Sequence, residues 1–283
     1  MDVQCGNQVL YFSRRTYIMG ILNVTPDSFY DGGKYFRFED AVNRAVQIEK
    51  EGADIIDIGG ESTRPGAEPV SEEEEIRRVI PVIEALQGRV SIPISIDTRH
   101  AKVAEMALQA GAKIINDVGG FQDDPKMVNV AKKYPVPVIL MHKRGSPKTM
   151  QLNTEYSDLI GEIHGFFENL LRFAEQHGIS KERIILDPGI GFGKKPEHNL
   201  VLIRQLHRFS DLGRPLLVGV SRKSFIQKIL DLQPDEDRIF GTASAVALSV
   251  IYGAQVVRVH DVKPMVHVVR MAEAIRNAVE TNA

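Results

Sequence analysis

Polar side chains stand directly after most of the short apolar runs in this 283-residue chain. They include carboxylates, amides and cations, a combination that can bind a heterocycle and an anion through directed hydrogen bonds. The residues are Asn23, Asp97, Asn116, Asp187, Lys223, Arg258 and His260. A single Asn or Asp after an apolar run usually belongs to a turn or a helix cap. The number of such positions therefore favours a binding or catalytic site.

Eight short apolar runs alternate with helical patterns from one end of the chain to the other. Most are rich in Ile and Val, and several lack in–out alternation, which is typical of parallel strands buried on both faces. The runs cover residues 17–23, 54–59, 91–97, 113–118, 136–141, 183–187, 215–220 and 255–260. They predict an α/β protein in which residues 1–283 form a single (β/α)8 TIM-barrel domain. An open doubly wound sheet is the alternative.

An internal repeat favours the barrel over the open sheet. Three segments resemble one another as helix end, short turn and strand, namely residues 52–57, 111–116 and 253–258. Asp57, Asn116 and Arg258 occupy the same place in these three units. Convergence of βα units on similar turns would explain the likeness as well. The role of Asp57 therefore stays open between structure and catalysis.

In a (β/α)8 barrel the active site lies at the carboxyl ends of the strands. Because closure brings the last strand beside the first, Asn23, Arg258 and His260 become neighbours. Arg258 and His260 are two residues apart on one strand, so they point the same way. Cations beside an amide oxygen suit an anion with a bound metal. Residues of the opposite arc suit a flat heterocycle with donors and acceptors: Asp97, Asn116, Asp187 and Lys223.

Two long loops follow the first and second runs, at residues 25–33 and 61–67. Both contain glycines beside polar side chains, as do loops that close over a substrate. Arg64 in the second loop fits a phosphate contact, although both segments could be plain surface loops. A further glycine-rich segment, 189–194, lacks the spacing of a P-loop or a dinucleotide motif. We expect Lys194 and Lys195 to be solvated, and the role of His142 stays open.

Over nearly the whole chain, the sequence resembles the dihydropteroate synthases. The match is specific because several long motifs occur in order: GILNVTPDSF at 20–29, DGG at 31–33, GGESTRPG at 59–66, SIDT at 95–98, NDV at 116–118, MH at 141–142, DPGIGFGK at 187–194, SRKS at 221–224 and RVHDV at 258–262. The resemblance implies a transferase of folate biosynthesis. Such an enzyme joins 6-hydroxymethyl-7,8-dihydropterin diphosphate to p-aminobenzoate and releases pyrophosphate.

The resemblance also implies a pterin site. That site would be formed by Asp97, Asn116, Met141, Asp187, Phe192 and Lys223. Asp187 would accept hydrogen bonds from the pterin ring N–H and exocyclic amine, and Lys223 would meet the ring oxygen and N5. Asp97 and Asn116 would bind other ring nitrogens. The residues with a catalytic role would be Asp97, Asp187, Lys223 and Arg258.

By the same resemblance, Mg²⁺ would be the cofactor, held on the diphosphate by Asn23. The diphosphate would be bound by Asn23, Arg64, Arg258 and His260. The p-aminobenzoate site would be formed by Phe29, Thr63, Pro65, Lys223 and Ser224, and Asp31 would help to close the first loop. The CH₂–O bond of the pterin would ionise before the neutral arylamine attacks. An associative displacement on the same residues is equally compatible with the sequence.

Composition narrows the class of protein. Lys and Arg number 35 against 37 Asp and Glu, so no basic field predicts a nucleic-acid partner. Cys5 is the only cysteine, which rules out an intramolecular disulfide. The first residues lack a leader pattern, and the longest weakly polar stretch is too short to span a bilayer. We therefore expect a cytoplasmic protein.

Residues 242–253 contain no charged side chain, whereas an outer barrel helix normally keeps one solvated face. We expect a homodimer through this segment. Coverage by the termini of the same chain is the alternative.

Two other functions are compatible with a pterin-binding barrel. A methyltetrahydrofolate:corrinoid methyltransferase handles no diphosphate, so it would have little use for Arg64 or for Arg258 with His260. A non-catalytic pterin-binding homologue would be expected to lack the first-loop or anion residues, and both sets are present here.

Overall fold

A computed structural model describes residues 2–6, 8–25, 34–62, 68–145, 149–150, 154–233 and 236–278, and of residues 34–37 it describes the backbone alone. Within this part of the chain, eight parallel strands form a barrel. They are β3 (Tyr17–Asn23), β4 (Ile55–Gly59), β5 (Ile94–Asp97), β6 (Ile114–Asp117), β7 (Val138–Met141), β8 (Ile184–Asp187), β9 (Leu217–Val218) and β10 (Val256–Val259).

The barrel closes between β8 and β9. Leu186 forms a parallel bridge with Leu216, and its N–H donates to the carbonyl of Pro215 over 2.9 Å. β10 pairs with both β9 and β3, which completes the ring on the other side. The predicted (β/α)8 fold is confirmed, and the open doubly wound sheet is wrong.

Nine α-helices in the described residues surround the strands. They are α1 (Lys34–Lys50), α2 (Glu72–Leu86), α3 (Ala101–Ala110), α4 (Met127–Lys133), α5 (Leu159–Gln176), α6 (Pro196–Arg204), α7 (Ser224–Leu230), α8 (Ile239–Ile251) and α9 (Val262–Asn277). In α2, for example, the side chain of Ser71 accepts from the N–H of Glu74 and starts the helix. Among the described helices, none is long and apolar enough to cross a membrane.

Two apolar layers explain why the strands lack polar alternation. Ile55 and Ile56 are adjacent and both fully buried, but they belong to different layers. Ile55 packs inside the barrel, whereas Ile56 packs against the surrounding helices. Because neighbouring side chains on a strand point to opposite faces, a barrel covered by helices needs aliphatic residues on both.

A short hairpin covers the amino end of the barrel. Its strands are β1 (Asp2–Cys5) and β2 (Gln8–Tyr11), which pair antiparallel. Val3, Cys5 and Leu10 are buried together with the inward residues of the barrel strands. The sequence analysis did not predict this hairpin. Its apolar side chains complete a buried core at the amino end of the barrel.

On four of the strands the inward side chains change from apolar to polar toward the carboxyl end. Residues two apart on a strand share a face, so the next inward position follows two residues later. The pairs are Ile55 and Asp57, Ile114 and Asn116, Ile185 and Asp187, and Val256 and Arg258. The barrel thus presents its polar residues at the carboxyl end, as the sequence predicts.

Candidate active site

A cavity opens at the carboxyl ends of the strands. Eight residues predicted from the sequence lie on its wall: Asp97, Asn116, Met141, Asp187, Phe192, Lys223, Arg258 and His260. Ile21, Val118 and Ile190 add apolar surface. Apolar walls with a few convergent polar groups are the usual construction of a binding site for a heterocycle.

Two other predicted residues, Asn23 and Ser224, do not line this wall in the described part of the chain. Asn23 ends β3 and is half-buried, and Ser224 begins α7 and is exposed. Five further predicted residues lie outside the described residues: Phe29, Asp31, Thr63, Arg64 and Pro65. The described wall therefore comprises the predicted heterocycle site and part of the predicted anion site.

A buried network of charges crosses the cavity floor. The Arg258 guanidinium donates from Nε to Asp57 over 2.6 Å and from an Nη to Asp97 over 2.5 Å. Asn116 donates from Nδ2 to the same oxygen of Asp57 over 3.0 Å. Asp57 thus contacts both residues that are equivalent to it in the sequence repeat, Asn116 and Arg258. A guanidinium held by two carboxylates has little rotational freedom.

Burial shifts the protonation equilibria of these groups. Burial raises the pKa of Asp97 against the opposing effect of Arg258, and it raises the pKa of Asp187 against the Gly189 N–H and Lys223. Burial lowers the pKa of Lys223 to about 8, although Asp187 opposes the shift. Burial alone would lower the pKa of Arg258, but Asp57 and Asp97 outweigh it and raise that pKa. Arg258 is therefore a permanent cation.

Lys223 and Asp187 both form hydrogen bonds with the backbone of the loop after β8. Lys223 donates from Nζ to the carbonyl of Ile190 over 2.8 Å, and its ammonium lies 4.1 Å from the ring centroid of Phe192. Asp187 accepts from the N–H of Gly189 over 2.7 Å. These bonds fix the direction of both charged side chains at the cavity.

Lys194 is buried, so the prediction that it is solvated is wrong. It is 2% exposed, and its Nζ lies 3.0 Å from His142 Nδ1, from the Gly189 carbonyl and from the Phe192 carbonyl. Burial lowers its pKa to about 7. Lys195, in contrast, is half-exposed and pairs with Glu155. The acceptors of a tightly folded loop, not solvent, surround the Lys194 ammonium.

His142 stands under the same loop. Burial lowers its pKa to about 2, with Lys194 and Arg144 adding to the effect, so the ring is neutral and accepts at Nδ1. Gly189 has φ of +68°, and a side chain there would lie 1.9 Å from the His142 carbonyl oxygen. The loop can therefore approach His142 this closely only with a glycine at position 189.

His260, a residue of the predicted anion site, lies on the cavity wall beside Ser221. His260 Nδ1 lies 3.1 Å from Ser221 Oγ, which also accepts from the His260 backbone N–H. No cluster of three or more His, Cys, Asp or Glu ligands occurs in the described ranges. Asn23, at the end of β3, carries an amide oxygen, a hard donor of the kind that Mg²⁺ accepts beside phosphate oxygens and water.

Sequence reasoning left two site residues unassigned. Asp57 was identified only from the internal repeat, in which it is equivalent to Asn116 and Arg258. The repeat did not indicate that these residues contact one another. Lys194 gave no signal, because a Lys-Lys pair in a glycine-rich loop is usually exposed. Both are buried, and each has at least one partner from a distant part of the chain, Arg258 for Asp57 and His142 for Lys194.

Known proteins resemble this chain over nearly its whole length. Residues 19–260 match the family model described as pterin binding enzyme. The dihydropteroate synthase of Synechocystis sp. is 50% identical over 270 residues, which cover 95% of this chain and 93% of the relative.

Two solved structures have the same fold. The Xanthomonas albilineans dihydropteroate synthase with 4-aminobenzoic acid gives a TM-score of 0.91 at 41% identity, covering 98% of this chain and 99% of that chain. The enzyme of that organism in complex with 7,8-dihydropteroate gives 0.89 at 38% identity, covering 99% and 100%.

Proposed function

Because this chain belongs to the dihydropteroate synthases, a family of pterin-binding enzymes, we propose that its barrel cavity is the pterin site of their reaction. The chain is a transferase that joins 6-hydroxymethyl-7,8-dihydropterin diphosphate to p-aminobenzoate, giving 7,8-dihydropteroate and pyrophosphate. One observation carries the assignment of the site: Asp97, Asn116, Asp187 and Lys223 share one cavity wall. Residues 1–283 are proposed to be a single domain.

The pterin ring is held by complementary donors and acceptors. Asp187 accepts from the ring N–H and the exocyclic amine; its Oδ1 takes one bond from Gly189 and has capacity for another. Lys223 donates to the ring oxygen and N5, and with a pKa of about 8 it is mainly charged at neutral pH. Asp97 offers a further acceptor, since its Oδ1 has no hydrogen-bond partner among the described residues. Met141 and Phe192 pack against the ring faces.

The diphosphate is bound beside this ring. Arg258 and His260 bind its oxygens together with Arg64, and Asn23 supplies an oxygen ligand to Mg²⁺. The bound metal supplies Lewis-acid stabilisation of the leaving group. Arg258 is suited to the same task because it is a permanent cation fixed by two carboxylates.

The reaction replaces a C–O bond by a C–N bond. The CH₂–O bond breaks and its electron pair leaves with pyrophosphate, while the ring held by Asp187 and Lys223 shares the developing positive charge. The neutral arylamine nitrogen attacks the CH₂ carbon and then loses a proton to solvent. An associative displacement would use the same residues. Neither route requires a strong general base, because the arylamine is uncharged at neutral pH.

The acceptor site and its loops complete the proposal. Phe29, Thr63, Pro65 and Ser224 bind p-aminobenzoate together with Lys223, and Asp31 helps to close the first loop. Lys223 is shared by the two substrates, which agrees with its position at the rim between the cavity and the start of α7.

We also propose a homodimer through α8 and a cytoplasmic location. The exposed fraction is 84% at Phe240 and 46% at Leu248 on α8, and 62% at Met271 and 60% at Ile275 on the adjoining α9. Such an apolar surface on two packed helices favours a second copy of the chain as its cover. Sedimentation at micromolar concentration should give twice 31.5 kDa; a 31.5 kDa species alone would contradict the dimer.

A turnover assay tests the function. The purified chain is mixed with the pterin diphosphate, p-aminobenzoate and Mg²⁺, and pyrophosphate is measured with controls that lack each component. We expect pyrophosphate only in the complete mixture. Absence of turnover, together with methyl transfer from methyltetrahydrofolate to a corrinoid, would instead support the methyltransferase alternative.

A further inference from the structure

Asp57 contacts two residues of the cavity wall without belonging to that wall. It lies on β4, inside the barrel, and is fully buried. Its Oδ2 accepts from Arg258 Nε over 2.6 Å and from Asn116 Nδ2 over 3.0 Å. Its Oδ1 is buried without a hydrogen-bond partner in the described part of the chain. A buried carboxylate is costly, so its retention here requires strong partners.

The contact with Asn116 decides which atom of the amide meets a ligand. An amide can donate only from its nitrogen, and Asp57 can only accept. Nδ2 is therefore turned toward Asp57, and the carbonyl oxygen of Asn116 is the acceptor left for the cavity. Without Asp57 the amide could turn over and present a donor instead.

The contact with Arg258 fixes the direction of the guanidinium. Arg258 is held on Nε by Asp57 and on an Nη by Asp97, which lies on the cavity wall. The planar guanidinium has five donors in a rigid fork, so two fixed bonds orient the remaining donors. Asp57 thereby determines where those donors point.

We propose that Asp57 is a positioning residue for the pterin site, acting through the amide of Asn116 and the guanidinium of Arg258. It touches neither substrate. The inference rests on the proposed function, because it assigns Asp57 to the site in which the pterin diphosphate is bound.

The test compares Asp57→Asn with Ser95→Ala. Ser95 pairs with Asp57 in register on β5 and is equally buried, and its Oγ also lacks a partner among the described residues, which makes it a matched control. We expect Asp57→Asn to raise the KM for the pterin diphosphate about ten- to a hundredfold, as loss of a charged hydrogen bond does. The KM for p-aminobenzoate should change less, and Ser95→Ala should leave both KM values unchanged. Equal KM values for Asp57→Asn and wild type would overturn the proposal.

A second pair of variants keeps the proposal testable if Asp57→Asn folds poorly. Asn116→Asp brings two carboxylates together at the 3.0 Å contact and should abolish pterin binding. Adding Asp57→Asn to that variant restores a donor and acceptor pair, so calorimetric titration with 6-hydroxymethylpterin should recover measurable binding. A double variant that binds no better than Asn116→Asp would show that Asp57 does not act through Asn116.

The binding titration also separates the two proposals. A wild-type chain that binds the pterin but releases no pyrophosphate would contradict the proposed reaction while leaving the Asp57 comparison measurable. Normal turnover in wild type with an unaltered Asp57→Asn variant would contradict the positioning role alone.

Discussion

At the amino end of the barrel the inward side chains are apolar and pack under the β1–β2 hairpin, whereas two residues later on β4, β6, β8 and β10 they are a carboxylate, an amide or a cation. The same strands run through both ends of the barrel, and the two-residue period of a strand determines only which face a side chain occupies. The amino end stabilises the fold by excluding water from apolar surface. The carboxyl end holds buried charges with shifted pKa values, which weaken the fold unless they are paired. The residues that stabilise the fold and the residues proposed to bind substrate therefore lie in adjacent inward layers of the barrel.

The largest effect should come from moving a charge across that boundary. Ile185→Asp puts a carboxylate in the inner apolar layer of the barrel, and we expect the free energy of unfolding to fall by more than about 4 kcal/mol. Ile185→Val is the control and should cost about 1 kcal/mol. Urea unfolding measures both. If Ile185→Asp were as stable as Ile185→Val, the amino end would not be the dry core described here.

The second effect concerns the polar partner of Ile185 on the same strand. Asp187→Asn replaces an acceptor by an amide that must present one donor, so pterin binding should weaken by about 2–4 kcal/mol while the barrel stays folded. Calorimetry with a pterin and circular dichroism provide the two measurements. Unchanged pterin affinity would remove Asp187 from the site.

A third effect is smaller and depends on pH. Lys194 has a folded-state pKa of about 7, below its usual 10.5, so between these values the unfolded chain binds more protons than the folded one. The unfolding free energy of wild type should therefore rise relative to that of Lys194→Met as the pH increases from 7 toward 10. Parallel unfolding curves in a pH series provide the comparison, and a difference that is constant with pH would mean that Lys194 is not buried as a titrating group.

The smallest effect concerns Cys5 in the hairpin. Burial raises the pKa of its thiol to about 12, so the folded protein should resist thiol reagents at neutral pH. Cys5→Ala should cost about 1 kcal/mol of stability and leave kcat and both KM values unchanged. A change in KM without loss of stability would mean that the two ends of the barrel are coupled.

Sequence patterns were sufficient for the barrel and for most of its polar wall. Periodicity identified the barrel strands, and most strand ends then located a polar residue, because the inward face repeats every second residue. Lys194 could not be predicted in this way, since its burial results from three acceptors brought together by the folded loop. The β1–β2 hairpin was also missed, because two strands of four residues give too short a pattern.

The contacts of Asp57 with Asn116 and Arg258 have a consequence for the evolution of the sequence. The Asn116 amide and the Arg258 guanidinium both donate to Oδ2 of Asp57. A substitution at one of these three positions therefore changes which residues are tolerated at the other two. Positions 57, 116 and 258 should therefore covary among dihydropteroate synthases. A βα unit transferred from one member of the family to another should preserve activity only when all three residues are transferred together.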